Sequence, residues 1–163
     1  MAAFHVRRER RWSILVLTIL IAALTSCQPR RCARFYGELS HSDQRAEFLS
    51  YSPEKQVDVY LCGMTREPAD YSACQYLKEE GDLIVPALLD RLSREKNKQM
   101  QSSIVSALLV ISLNGTLEGR QDVTDRVAAS VHKMKDPGWR AIAESGLGHI
   151  EDKTHIPQRR SYH

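Results

Sequence analysis

Asp82-Leu83-Ile84-Val85-Pro86-Ala87-Leu88-Leu89-Asp90-Arg91-Leu92-Ser93-Arg94 sets Val85, Leu88, Leu89 and Leu92 at the i, i+3, i+4, i+7 spacing of one helical face. Asp82 is a natural cap for a helix over 83–94, and Pro86 falls early enough to be tolerated near its first turn. A helix over 98–111 follows and runs out at Leu113-Asn114-Gly115. A second pair, 122–134 and 138–150, is divided by Asp136-Pro137-Gly138. No stretch alternates polar and apolar residues between hairpin turns, so the chain is expected to be all-α.

At an offset of 39 residues the two pairs align without gaps. Ile84 matches Val123, Leu88 matches Val127, Leu92 matches Val131, Ile104 matches Ala143, Leu108 matches Leu147, and Ile111 matches Ile150. That spacing suits a two-helix repeat. Residues 136–151, with Asp136-Pro137 at the turn, then Trp139-Arg140, Ala143 and Leu147-Gly148-x-Ile150, resemble the inner helix of a HEAT-like repeat; Ile84-Val85-Pro86-Ala87-Leu88-Leu89 resembles the outer one. The first pair departs from the pattern, with Gln101-Ser102-Ser103 where a turn and arginine belong. The resemblance covers about 70 residues and implies a short α-solenoid, an antiparallel stack of helical hairpins.

Upstream, residues 41–80 do not share the offset but still read as helices. Ser42 or Asp43 caps a segment through Leu49, and Ser52-Pro53-Glu54 opens a second with Val57, Tyr60, Leu61 and Met64 on one face. Pro68 interrupts it, and a third helix near 69–80 stops at Gly81, the residue best suited to a left-handed terminus. Residues 28–40 show no period and read as a flexible tether, while 153–163 read as a polar C-terminal tail, which leaves 41–152 as the helical domain.

The beginning of the chain has a different character. Arg7-Arg8-Glu9-Arg10-Arg11 forms a positive segment, followed by an apolar run from Trp12 to Leu24 that is short for a membrane span but right for a secretory leader. Four arginines against one glutamate in residues 1–26 account for the whole formal charge of +3. The remainder is formally neutral, so a general footprint for nucleic acid is missing. Leu24-Thr25-Ser26-Cys27 resembles the lipobox of bacterial lipoproteins, which implies removal of 1–26 and acylation of Cys27. Several acyl chains anchor a protein stably without a spanning helix. The resemblance therefore implies a membrane-tethered envelope protein facing the periplasm, and Gln28, where an Asp would retain it at the inner membrane, favours the outer membrane.

Cys32, Cys62 and Cys74 remain for a compartment that permits disulfides. Cys62 with Cys74 is the simplest pairing, across the turn between two helices; the alternative is that both are small core residues. Zinc is disfavoured, because no Cys-x-x-Cys is present. Among groups that could carry chemistry, His149, Glu151, Asp152 and His155 cluster where the fold runs out, His132 reads as an exposed side chain, and Glu79, Glu80 and Asp82 bracket helix ends. Asn114-Gly115-Thr116 reads as a turn. No nucleophile elbow, phosphate loop or dinucleotide fingerprint occurs, so neither a cofactor nor a small-molecule substrate is indicated.

The expected function is a non-catalytic protein-binding or scaffold module held by lipid, with an unidentified envelope protein as partner and Tyr60, Tyr71, Tyr76 and Trp139 as candidate contacts. A periplasmic immunity or inhibitor lipoprotein directed at a toxin or hydrolase is the alternative. An enzyme is the least favoured of the three.

Overall fold

The structure is a computed structural model that describes residues 27–154. Among them are eight α-helices and no strand: α1 Cys27–Gly37, α2 His41–Leu49, α3 Pro53–Met64, α4 Ser72–Glu80, α5 Val85–Arg94, α6 Lys98–Ser112, α7 Gln121–Val131 and α8 Pro137–Thr154. The expected all-α class is what is found. The leader, and the tail beyond Thr154 with His155, lie outside the described residues.

The chain divides after Leu39 into two units. In the first, the stretch expected to be a structureless tether is helical as α1. Pro29 occupies the first turn, where its missing N–H breaks no hydrogen bond, and Arg34 in the last turn meets the negative end of the helix dipole. Phe35 and Tyr36 stack edge to face, 4.9 Å between centroids. Cys32, Phe35 and Tyr36, all buried, do stand at i, i+3 and i+4, but a single turn of apolar spacing beside Pro29 and three arginines is too short a run to set a helix apart.

The second unit, from Ser40, holds α2 to α8 in two rows. The even helices pack in succession, α2 on α4, α4 on α6 and α6 on α8; so do the odd ones, α3 on α5 and α5 on α7. Rows meet through pairs adjacent in sequence, such as α3 with α4, α5 with α6 and α7 with α8. Side-chain contacts fix the directions. Tyr76 donates to the His41 carbonyl at 3.3 Å and Arg45 pairs with Glu79 at 2.6 Å, so α2 and α4 run parallel. Tyr60 donates to the Ser103 carbonyl at 2.8 Å, while Gln99 reaches the Met64 carbonyl, so α3 and α6 are antiparallel. The hydroxyls of Thr124 and Thr154 meet at 3.2 Å, which sets the start of α7 beside the end of α8.

All six pairs of the 39-residue alignment are buried in the core. Burial of these faces is the main stabilising term, since helices this short are marginal alone. The caps differ in detail from the sequence reading. Ser40, not Ser42 or Asp43, caps α2 by accepting the Asp43 N–H. Asp82 caps no helix; it lies in a 3₁₀ turn, Gly81–Leu83, and α5 starts two residues later than expected. Gly81 takes a positive φ of 56° at the end of α4, as its position anticipated.

Candidate interaction surface

The alternating directions give the second unit two ends. At one, the α4–α5 and α6–α7 connections touch: a methyl group added to Gly81 would stand 3.5 Å from Thr116 Cγ2, and Arg120 lies 3.8 Å from Asp82. Thr154 closes onto the same end, where its carbonyl accepts the Gly119 N–H at 3.4 Å. At the other end lie Ser40, the α3–α4 connection, Glu95–Asn97 and residues 132–136, because Met64 and Gln99 meet there.

The first end presents leucine. Leu83 is 72% exposed and Leu113 is 59% exposed, one on each of the two touching connections. Isolated exposed leucines are ordinary, but two on adjoining turns make a candidate contact. Exposed acidic residues stand on the same connections and adjoining helix ends: Glu79, Asp82, Glu118 and Asp122. Arg120 holds Asp122 by a two-pronged bond at 2.8 and 2.9 Å, and that hydrogen bond keeps the Asp122 carboxyl below its ordinary range.

The second end presents lysine. Lys96, Lys133 and Lys135 are exposed and Lys98 half-exposed. None of the four joins an ion pair among the described residues. Carboxylates share this end: Glu67 is exposed, and three others accept hydrogen bonds from nearby groups. Asp136 accepts the N–H groups of Gly138 and Trp139 at 3.0 and 3.1 Å, and Asp70 accepts from the Ser72 backbone and hydroxyl at 3.0 and 2.7 Å. Glu95 accepts from Lys96 and Asn97 at 2.9 and 2.8 Å and pairs with Arg91 at 3.0 Å. Burial pushes the Glu95 carboxyl up, yet these donors outweigh it and leave the group below the ordinary carboxylate range.

The four aromatic candidates separate into two kinds. Tyr60 and Tyr76 are core residues whose hydroxyls tie helices together. Tyr71, 62% exposed at the start of α4, and Trp139, half-buried in the first turn of α8, remain at the surface, both at the lysine end. Helical spacing does not distinguish the two kinds; Leu83 and Leu113 fall by sequence in a helix body and at a helix end, and nothing local marks them as exposed.

His132 and His149 are exposed, as is Asp152, with Glu151 half-exposed. No group of three potential metal ligands comes together among the described residues. Glu79 and Glu80 close α4, with Glu79 gripping Arg45 at 2.9 and 3.2 Å. Of the cysteines, Cys32 and Cys62 are disulfide-bonded and Cys74 is a free, buried thiol, so the expected Cys62–Cys74 bridge is not formed. The sulfur of Cys62 is already engaged. Cys74 points into the core instead, where it packs as a small hydrophobe and burial raises its pKa. Cys27 opens α1; its side chain lies outside the described residues.

No described helix is long and apolar enough to cross a membrane. No known protein family matches the chain, and no match was found among curated proteins or solved structures.

Proposed function

We propose that this chain is a bacterial envelope lipoprotein, anchored through Cys27 and facing the periplasm, whose helical domain binds a partner protein and carries out no catalysis of its own. The observation that carries the binding role is the pair of exposed leucines, Leu83 and Leu113, on touching connections that also carry exposed carboxylates. An apolar centre with a polar margin is the usual composition of a contact that excludes water at its middle. The two-row order of α2 to α8, with equivalent positions buried at the 39-residue offset, supports a short HEAT-like solenoid as the scaffold. The leader, the Leu24-Thr25-Ser26-Cys27 motif and the glutamine at position 28 support the address and the preference for the outer membrane.

Two experiments test this. Radiolabelled palmitate should enter the native chain and be lost in Cys27→Ser; incorporation that survives the substitution rejects the anchor. A photo-crosslinking side chain at Leu83 or Leu113 should capture one discrete envelope protein that the same group at exposed Ser106 does not. Equal capture at all three positions rejects the binding surface. The exposed carboxylates at this end, Glu79, Asp82, Glu118 and Asp122, also favour an inhibitor of a cationic toxin or hydrolase; capture of an enzyme whose activity the chain abolishes would select that reading.

A further inference from the structure

We infer that residues 155–163 fold back across the leucine end of the helical domain, with Arg159 and Arg160 among its unpaired carboxylates, so that the chain covers its own contact surface. The inference rests on the protein-binding reading above and adds to it an occupant that a partner must displace. It is carried by where the segment leaves the domain, by the charge it meets there and by its own composition.

Thr154, the last described residue, lies at this end: its carbonyl accepts the Gly119 N–H at 3.4 Å and its hydroxyl meets that of Thr124 at 3.2 Å. The register of α6 and α8 sets its distance from Leu113. A Cβ on Gly146 would stand 3.0 Å from Val105 Cγ1, so the two helices touch at these positions. Both helices finish at the leucine end and therefore run parallel. Gly146 precedes Thr154, and Val105 precedes Leu113, by the same eight residues. The two helix ends are thus level, separated by roughly the 8–10 Å between packed helix axes. About three extended residues cover that distance. Nine are available from His155 to His163, and Pro157 keeps them from simply prolonging α8.

The charge at this exit is acidic on balance. Glu118, beside Gly119, and Glu151 and Asp152, in the last turn of α8, make no ion pair among the described residues. Asp82 has only Arg120, at 3.8 Å, which Asp122 already grips by two bonds. Against these carboxylates stand Arg120 and, by sequence, Lys153; Asp125 and Arg126, one turn into α7, offset each other, as do Lys78 and Glu80 in the last turn of α4. A net negative surface attracts a cationic segment, and a short tether holds that segment at high effective concentration beside it.

The segment itself suits the surface. His155-Ile156-Pro157-Gln158-Arg159-Arg160-Ser161-Tyr162-His163 contains two arginines and no Asp or Glu, with Ile156 and Tyr162 as its large apolar residues. Leu113 and Leu83 both stand exposed, which leaves apolar surface for them to cover. Arg and Tyr are also residue types enriched at protein contacts.

The test uses the full chain with a photo-crosslinking side chain at Leu113, purified without any partner. Irradiation should join position 113 to residues 155–163 within one chain, read by mass spectrometry of the digest, and the same group at exposed Ser106 should not. Tethering alone brings some contact, so charge is the discriminating variable. Two exposed ion pairs together favour the closed arrangement by about fivefold, so Arg159→Glu with Arg160→Glu should cut the internal crosslink by about that factor or more. High salt should do the same, while Arg159→Lys with Arg160→Lys should retain the crosslink. Circular dichroism checks that the variants remain helical.

Absence of a crosslink to 155–163, or one that charge reversal leaves unchanged, overturns the inference; a crosslinked dimer in its place assigns the surface to a second copy. In envelopes, partner capture at Leu113 should rise in the charge-reversed chain, and equal capture by both chains also overturns it. A charge-dependent internal crosslink with no partner captured by either chain upholds the fold-back and rejects only the binding reading above.

Discussion

Replacing Gly146 by alanine should destabilise the domain, although in a helix interior that change ordinarily stabilises by about 1 kcal/mol. The reason is the closeness of α6 and α8, which form the most extensive helix contact of the domain. A Cβ at position 146 would stand 3.0 Å from Cγ1 of Val105, a buried residue of α6. Valine in a helix has one strongly preferred rotamer, about 90% occupied, so the methyl group cannot swing aside. The helices must instead separate by a few tenths of an ångström, which loosens the buried contact between α6 and α8. Overpacking of this kind costs about 1–3 kcal/mol. Set against the propensity gain, the net loss should be about 1 kcal/mol. Val105→Ala alone should cost about 2 kcal/mol through lost burial and a small cavity. In that background the new methyl at 146 fills vacated space, so Gly146→Ala should then stabilise, by about 1 kcal/mol. Gly148, two residues on, has nothing within 4 Å of an added Cβ, and Gly148→Ala should stabilise the native chain by a similar amount. Urea unfolding followed by circular dichroism gives each value from the midpoint at constant slope. If Gly146→Ala raises the midpoint as Gly148→Ala does, or if its sign does not reverse in the Val105→Ala background, the close-packing argument is wrong.

Other expectations follow from single contacts. Tyr60→Phe leaves the packing but deletes the bond to the Ser103 carbonyl, and should lower unfolding free energy by about 1 kcal/mol. Asn97 accepts the N–H groups of Gln99 and Met100 at 3.0 and 3.3 Å, so Asn97→Ala should cost about 1 kcal/mol of the same quantity. Leu83→Asp should leave the urea midpoint within the scatter of about 0.5 kcal/mol typical of surface changes while abolishing partner capture; a collapse of stability would show that Leu83 packs rather than presents itself. Glu95 supplies a pH dependence. Its pKa is lowered in the folded chain, so its contribution is complete above the unfolded value and disappears as pH falls through the folded one. Between about pH 5 and 3 the native chain should lose stability more steeply than Glu95→Gln, and parallel curves would deny the group that role.

The helices were legible because their information is local. The faces containing Leu88, Leu92, Leu108 and Leu147 follow from spacing, and the offset of 39 residues picked out side chains that are all buried. Terminal signals did less well. Asp82 has the right identity for a cap, but Gly81 turns the backbone into a 3₁₀ step first, so the acid faces Arg120 instead. The α1 helix escaped notice because its apolar set, Cys32, Phe35 and Tyr36, spans only about one turn, and the pairing of the bonded cysteines escaped because residue spacing carries no information about which sulfurs meet.

Order along the chain, then, determined the class of fold, the location of most helices and the identity of the buried faces, since a helix's period and caps are set within a few residues. Only packing decided which residues share an end. Leu83 and Leu113 are separated by 29 intervening residues and come onto touching connections because alternate helices run parallel in each row. Lys96 and Lys135 are brought to the opposite end by the same alternation, and Tyr60 parts from Tyr71 because one side chain finds a neighbouring helix and the other finds solvent. Such outcomes depend on contacts between distant segments, whose energies no short window of sequence contains.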